Sequence, residues 1–226
     1  MESKKLIVTA SPHITNHTST RGLMLNVCIA LLPALVASTL IFGARALLVT
    51  GITVAACVGF EALYCVVMKK PVPVGDFSAV VTGMILAFNL PATIPLWIAI
   101  IGAFVAIVVA KQLFGGLGFN FANPALLGRI VLFIGFAGRM TAYAFPQTDI
   151  DALASATPLV AGNSMAGKDM LLQLLLGAHG GVLGETCAVA LILGGIYLIA
   201  TKTISAAIPL SYIGTVAVLS LVLGQD

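Results

Sequence analysis

Long apolar runs, separated by short polar or glycine- and proline-rich stretches, set the pattern of this chain and predict helices of membrane length. Leu23 to Phe42 is interrupted only by Asn26 and Pro33, and Ala46 to Met68 carries Glu61 inside it. Gly43 to Arg45 joins the two as a hairpin. Lys69 and Lys70 close the second run, and after a Pro-x-Pro turn Asp76 stands where the next helix needs an N-cap. Phe77 to Leu90 is too short to cross at about 20 residues per span. It ends in NLPATIP, whose two prolines block continuation, so a broken or half-crossing helix is predicted.

Trp97 to Phe114 reads as an ordinary span with Trp97 at one rim and Lys111 near the other end. Lys111 to Arg129 then holds four glycines, two asparagines and a proline, and irregular backbone at that depth survives only inside protein or along a cavity. A helix is predicted from Pro124 to about Phe145. The apolar signal lapses from Pro146 to Asp169, and Met170 to Ala178 is again too short to span, which suggests a re-entrant or interfacial segment. Val182 to Ala200 and Ser205 to Leu223 are the last predicted spans.

Composition agrees with this pattern. With 60% hydrophobic and 8% charged residues among 226, and a mean hydropathy of +1.12, the chain has too little polar surface for a water-soluble domain. Backbone groups in hydrocarbon must be satisfied within the spanning segment, so the expected fold is all-α, a polytopic transmembrane helical bundle. The N-terminal residues lack the compact apolar region and small-residue cleavage site of a signal peptide. A net charge of +3 spread over scattered basic residues gives no nucleic-acid footprint.

The basic residues also orient the chain. Lys4, Lys5, Arg21, Lys69, Lys70, Lys111 and Lys202 share one side if the N-terminus is cytoplasmic, while Arg45, Arg139 and Lys168 fall on the other. On this count the 146–169 loop is extracytoplasmic, provided that the 77–90 segment and its LPATIP end together make one crossing.

Candidate chemistry is sparse. His13, His17 and His179 have no carboxylate and nucleophile at a catalytic spacing. Cys28, Cys57, Cys65 and Cys187 form no paired motif and read as small buried hydrophobes, with a cluster shared between subunits as the one alternative. GGLG at 115–118 lacks the GK[ST] of a phosphate loop. Intramembrane charges carry more weight because each is costly in hydrocarbon. Glu61, Glu185 and Arg129 are therefore candidates for an ion path, with structural pairing as the competing reading and the first one for Glu61. Arg139 is a functional candidate on the same ground. Thr157, in the small-residue stretch ALASATPLVAG, would by itself be an ordinary loop threonine before a proline.

Several longer motifs resemble a known family. DFSAVVTGMILAFNLP at 76–91, KQLFGGLGFNFANPALLGR at 111–129, ASATPL at 154–159 and GETCAVALILGGIYLI at 184–199, with SPH at 11–13, ST at 19–20 and FG at 42–43, resemble the D subunit of Rnf complexes, a relative of the B subunit of sodium-translocating NADH:quinone reductase. The resemblance implies a flavoprotein whose FMN is joined through its phosphate to a threonine in a D-x-x-[ST]-[GS]-A-T motif. Here Asp151, Ser155, Ala156 and Thr157 match, and Ala154 replaces the usual hydroxyl residue. Thr157 is then the attachment point, with Arg139 and Lys168 as phosphate partners. A second, noncovalent flavin such as riboflavin is compatible with the same resemblance.

The implied scaffold is similar to that of urea transporters, with inverted halves and broken helices. Fewer crossings can be drawn here than that fold has, so the chain is expected to lack its last helices. The implied organisation is a cytoplasmic arm at 1–22 and a transmembrane domain at 23–226. Within it lie a first repeat at about 23–145, the flavin-bearing loop at 146–169 and a partial second repeat at 170–226. The implied function is that of a membrane subunit of a redox-driven pump for Na+ or H+ in a bacterial or archaeal cell membrane. Its implied partners are a second covalent flavoprotein subunit, iron-sulfur subunits and a maturing flavin transferase. The alternative from another class is a channel or transporter for a small polar solute on the same scaffold.

The charge distribution generates a labelling test. In cells depleted of reactive native thiols, Thr148→Cys should react with an impermeant thiol reagent from outside and Lys69→Cys only after permeabilisation. The reverse pattern inverts the topology.

Overall fold

The computed structural model describes residues 19–143, 175–177 and 179–223. Among them the regular structure is entirely helical. Helix α1 covers Thr20–Phe42, α2 Ala44–Val67, α3 Ser78–Phe88 and α4 Leu96–Phe104, the last continuing without a break as a π-helix over Val105–Gln112. Then come α5 at Pro124–Gly135, the single turn α6 at Ala137–Met140, α7 at Ala188–Ala200 and α8 at Ala207–Leu223.

The helix limits follow local chemistry. Ser19 caps α1 by accepting from the Gly22 amide at 3.2 Å, and Gly43, at φ 73°, supplies the left-handed corner between α1 and α2. Asn123 caps α5, accepting from the amides of Ala125 and Leu126, with Pro124 at the first helical position where no amide partner is needed. Helices α1 and α2 are long and apolar enough to cross a membrane. Leucine, isoleucine and valine side chains, among them Val36, Leu63, Ile134 and Ile196, face outward, whereas Glu61 and Lys111 lie inside. Apolar outside and charged inside is the distribution of a helical bundle solvated by lipid.

The core is formed where α1, α2, α3, α4 and α7 meet, with Ala34, Val49, Met84, Phe88, Leu90, Ile98 and Leu183 in one buried cluster. Close packing depends on missing side chains. A Cβ at Gly194 on α7 would collide with the Ala30 carbonyl oxygen on α1, and one at Gly128 on α5 would lie 2.9 Å from the Gly102 carbonyl oxygen on α4.

Helix α3 confirms the short, broken segment: it stops at Phe88, and residues 89–95 continue as turns. Its start lies by the N-terminal end of α1, where the Arg21 guanidinium sits 5.4 Å from the Phe77 ring centre. The chain after it reaches the opposite end, where Arg45 Nη2 donates to the Ile94 carbonyl at 3.1 Å and Thr93 Oγ1 to that of Ala142 at 2.6 Å. The short helix and its extended tail thus run the length of the bundle.

Three predicted spans differ from the structure. The helix from Pro124 ends at Gly135, ten residues early. Gly135 and Gly138 weaken it, and Phe136 turns edge-on against Trp97 at a centroid distance of 5.2 Å. The span expected from Val182 begins only at Ala188, because the amides of Leu183 and Gly184 bond instead to the carbonyls of Leu90 and Phe88 at the open end of α3. The span from Trp97 is helical as predicted, but its second half is π-wound. Helix α8 has no buried residue.

The α1–α7 contact can be probed by two adjacent glycines. Gly194→Ala should lower the detergent-solubilised melting temperature, with a cost of about 1–3 kcal/mol from overpacking. Gly195→Ala, whose added methyl meets nothing within 4 Å, should not lower it. Equal melting for both variants would contradict this packing.

Candidate functional site

Two polar constellations stand out inside the bundle. The first is built on Glu61, six residues before the end of α2 and fully buried. Lys111, 2% exposed, places its Nζ 2.6 Å from Glu61 Oε1, and Gln112 Nε2 donates to the same oxygen at 2.8 Å. Adjacent side chains on an ordinary helix point in different directions. Here the wider π-turn, marked by the i to i+5 bond from the Leu113 amide to the Val108 carbonyl, brings both onto one acceptor.

Lys111 Nζ also donates to Ser78 Oγ at 2.6 Å, and Ser78 Oγ donates in turn to Asp76 Oδ1 at 2.6 Å. The direction is fixed because an ammonium has only donors. Asp76 Oδ1 further accepts from the Ser78 amide at 2.8 Å. The N-cap of α3 is Phe77 rather than the expected Asp76, which ends the 3-10 turn Val74–Asp76 one residue earlier. From there Asp76 still takes the first amide of the helix and anchors a chain of bonds running inward to Glu61. Glu61 Oε2 is buried and finds no hydrogen-bond partner among the described residues.

The second constellation lies at the open C-terminal end of α3. Asn89 Nδ2 donates to the Ile85 carbonyl at 2.8 Å, while its Oδ1 accepts from Arg129 Nη1 at 2.9 Å. A cavity of about 450 Å³ opens here, lined by Phe88, Asn89, Arg129, Val182, Gly184 and Glu185 among others. Gly184 makes room: a Cβ there would stand 2.5 Å from that of Phe88. Arg129 and Glu185, far apart in sequence, thus line one cavity without forming an ion pair.

The sequence candidates fare unequally. Glu61 is in a structural pair, the reading favoured for it. Lys111, expected as a rim charge that orients the chain, is instead that pair's partner, because a lone carboxylate in the bundle would be too costly. Arg139 is exposed on α6 at the end of the bundle away from Arg21. Cys57 and Cys65 are buried, while Cys28 and Cys187 are half-buried. Asp151, Ser155, Ala156, Thr157 and Lys168 lie outside the described residues. Sequence reasoning missed Ser78, Gln112 and Asn89. The signal within reach was one acid and one base of opposite sign in two separate apolar runs.

An all-helical bundle of the membrane type, with a buried ion pair and a polar cavity at a broken helix, is the class defined by fold and site. The chain belongs to the NQR2, RnfD, RnfE family, whose sequence model matches residues 7–226. It is 44% identical to the D subunit of the Na+-translocating ferredoxin:NAD+ oxidoreductase complex of Acetobacterium woodii, over 100% of this chain and 72% of that one. Similarity extends to the D subunit of the proton-translocating ferredoxin:NAD+ oxidoreductase complex of Clostridium ljungdahlii, 38% identical over 96% of this chain and 69% of that one. It extends also to the D subunit of the ion-translocating oxidoreductase complex of Vibrio atlanticus, 34% identical over 95% and 72%.

The buried pair predicts an asymmetric mutational response. Lys111→Met leaves Glu61 uncompensated and should destabilise the detergent-solubilised protein by about 3–5 kcal/mol. Adding Glu61→Leu to that variant should recover more than half of the loss in melting temperature. A double variant no more stable than Lys111→Met would show that the cost does not come from the stranded carboxylate.

Proposed function

We propose that the chain serves as the D subunit of an Rnf-type redox-driven ion pump, carrying FMN in phosphoester linkage on Thr157 and relaying electrons between partner subunits as Na+ or H+ crosses the membrane. The observation that carries this reading is the run Asp151 to Thr157, with Ser155 and Ala156 in register, inside a chain similar along its whole length to the D subunits of ion-translocating complexes. Bound FMN supplies the redox chemistry; this chain's residues hold it at a set depth and tune it.

The described residues offer a fit for the ring. The segment that leaves at Tyr143 does so beside Thr93, through Ala142, and the one that returns at Leu175 lies against Cys187, whose Sγ donates to the Leu175 carbonyl at 3.8 Å. A cavity of this size with an aromatic face, an amide, a guanidinium and a carboxylate suits a planar heterocycle with a polar edge. Arg139 and Lys168 are assigned to the FMN phosphate, and the glycine clusters admit a second, riboflavin-like flavin.

The short α3, with its open end near a cavity, supports a urea-transporter-like inverted-repeat scaffold. In the same reading the chain divides into an arm at 1–22, a first repeat at about 23–145, an extracytoplasmic loop at 146–169 and a second repeat from 170 onward. Glu61, Glu185 and Arg129 are the ion-path residues in this reading. The partners are a second covalent flavoprotein subunit, iron-sulfur subunits, a flavin transferase and the lipid of a bacterial or archaeal cell membrane.

The natively matured wild-type chain should fluoresce as a flavoprotein on a denaturing gel, and Thr157→Ala should abolish that signal. On the sequence reading of 146–169 as a polar loop, the variant's stability should change by no more than about 0.5 kcal/mol. Thr157→Ser should keep partial labelling. Persistent flavin in Thr157→Ala would move the attachment to Ser155, and a matured wild type without flavin would favour the solute-transporter reading.

A further inference from the structure

Asp76 and Ser78 do more in this structure than begin a helix. Phe77 between them adopts φ 63°, ψ 5°, a left-handed conformation that is unfavourable for a bulky residue and is retained only where its surroundings demand it. Its ring is held beneath the Arg21 guanidinium. This strained residue lies between the carboxylate and the serine, and Asp76 Oδ1 takes both the amide and the hydroxyl proton of Ser78. With its own proton committed to Asp76, Ser78 Oγ presents its lone pairs to Lys111.

Asp76 and Glu61 stand at the two ends of this chain of bonds, with Ser78 and Lys111 between them. The Lys111 ammonium is shared between Ser78 Oγ and Glu61 Oε1, each at 2.6 Å, and Gln112 crowds that same carboxylate oxygen. Glu61 Oε2 is left buried and unpartnered among the described residues. Without the pull from Ser78, the ammonium would be free to straddle both oxygens of Glu61, the arrangement that Coulomb attraction favours.

We propose that Asp76 and Ser78 are positioning residues that hold Lys111 at one oxygen of Glu61 and so keep the second oxygen open to the transported cation. The proposal rests on the reading of Glu61 as an ion-path residue. Ser78 and Asp76 act through Lys111 and touch no cation themselves. Weakening the arm lets Lys111 compete with the cation for Oε2, which lowers apparent affinity for the ion while leaving maximal turnover in place.

The test uses the assembled complex in membrane vesicles, with ferredoxin-driven NAD+ reduction titrated against Na+ and, in Na+-free buffer, against pH. Ser78→Ala should raise the Na+ or proton concentration giving half-maximal rate about tenfold, the scale of one hydrogen bond to a charged group. Its maximal rate should stay within about twofold, and Asp76→Asn should shift the same way by less, since its amide oxygen still accepts from Ser78. Ser78→Thr, which restores the hydroxyl, should titrate like wild type. A purely structural serine would change the amount of assembled complex without this split, and Asp76→Asn serves as the readout if Ser78→Ala does not assemble. Unshifted half-saturation in Ser78→Ala and Asp76→Asn, with Glu61→Gln altered, would overturn the arm and leave the ion-path reading standing. A Glu61→Gln complex that titrates like wild type would overturn both.

Discussion

The buried pair of Glu61 and Lys111 is the constraint on which the rest of this bundle depends. Two charges taken out of water cost several kcal/mol each unless geometry and further hydrogen bonds compensate them. Three elements supply that compensation: α2 brings the carboxylate, the π-wound end of α4 brings Lys111 with Gln112, and the head of α3 brings Ser78 backed by Asp76. Their relative placement is consequently set by polar bonds as well as by apolar packing. In lipid this matters more than in water, because hydrocarbon surrounds the bundle as readily as it fills it and supplies little force to hold helices in one register.

Broken helices make room for function at the other end of α3. A continuous span would have satisfied its own carbonyls. Here the carbonyls of Phe88 and Leu90 are taken up by the amides of Gly184 and Leu183, so the second half of the chain is stitched to the interruption in the first. The cavity beside this junction takes its polar lining from residues 89, 129 and 185, which lie on three separate stretches. Glycine at 184 permits the approach, and its chemistry explains why the expected helix from Val182 starts late.

Much of this architecture was legible in the residues. The apolar runs predicted α1 and α2 almost to their ends, the prolines of NLPATIP predicted the short α3, and the helix expected from Pro124 begins there as α5. Arg21 lies beside the head of α3 and Arg45 beside its tail, opposite ends as the pattern expects of these two. Lys111 is bonded to Ser78 at the head of α3 but is buried rather than at a rim, and its case is instructive. Hydropathy scores a lysine near a span end as a rim charge whether its ammonium meets water or a carboxylate.

What the sequence determined by itself is what local chemistry controls: helical spans from hydrocarbon-length apolar runs, their breaks from proline and glycine, their caps from serine and asparagine, and the family from long motifs. What only the tertiary structure decided is which charges meet. Glu61 and Lys111 are fifty positions apart, Asn89 and Arg129 forty, and no periodicity relates them. Pairing follows from helix rotation and depth, and these come from glycine contacts between helices and from the π-turn, which shifts side-chain direction without leaving a mark in hydropathy. The physical reason is range: backbone bonding and capping act within a few residues, whereas desolvated charges select their partners in space.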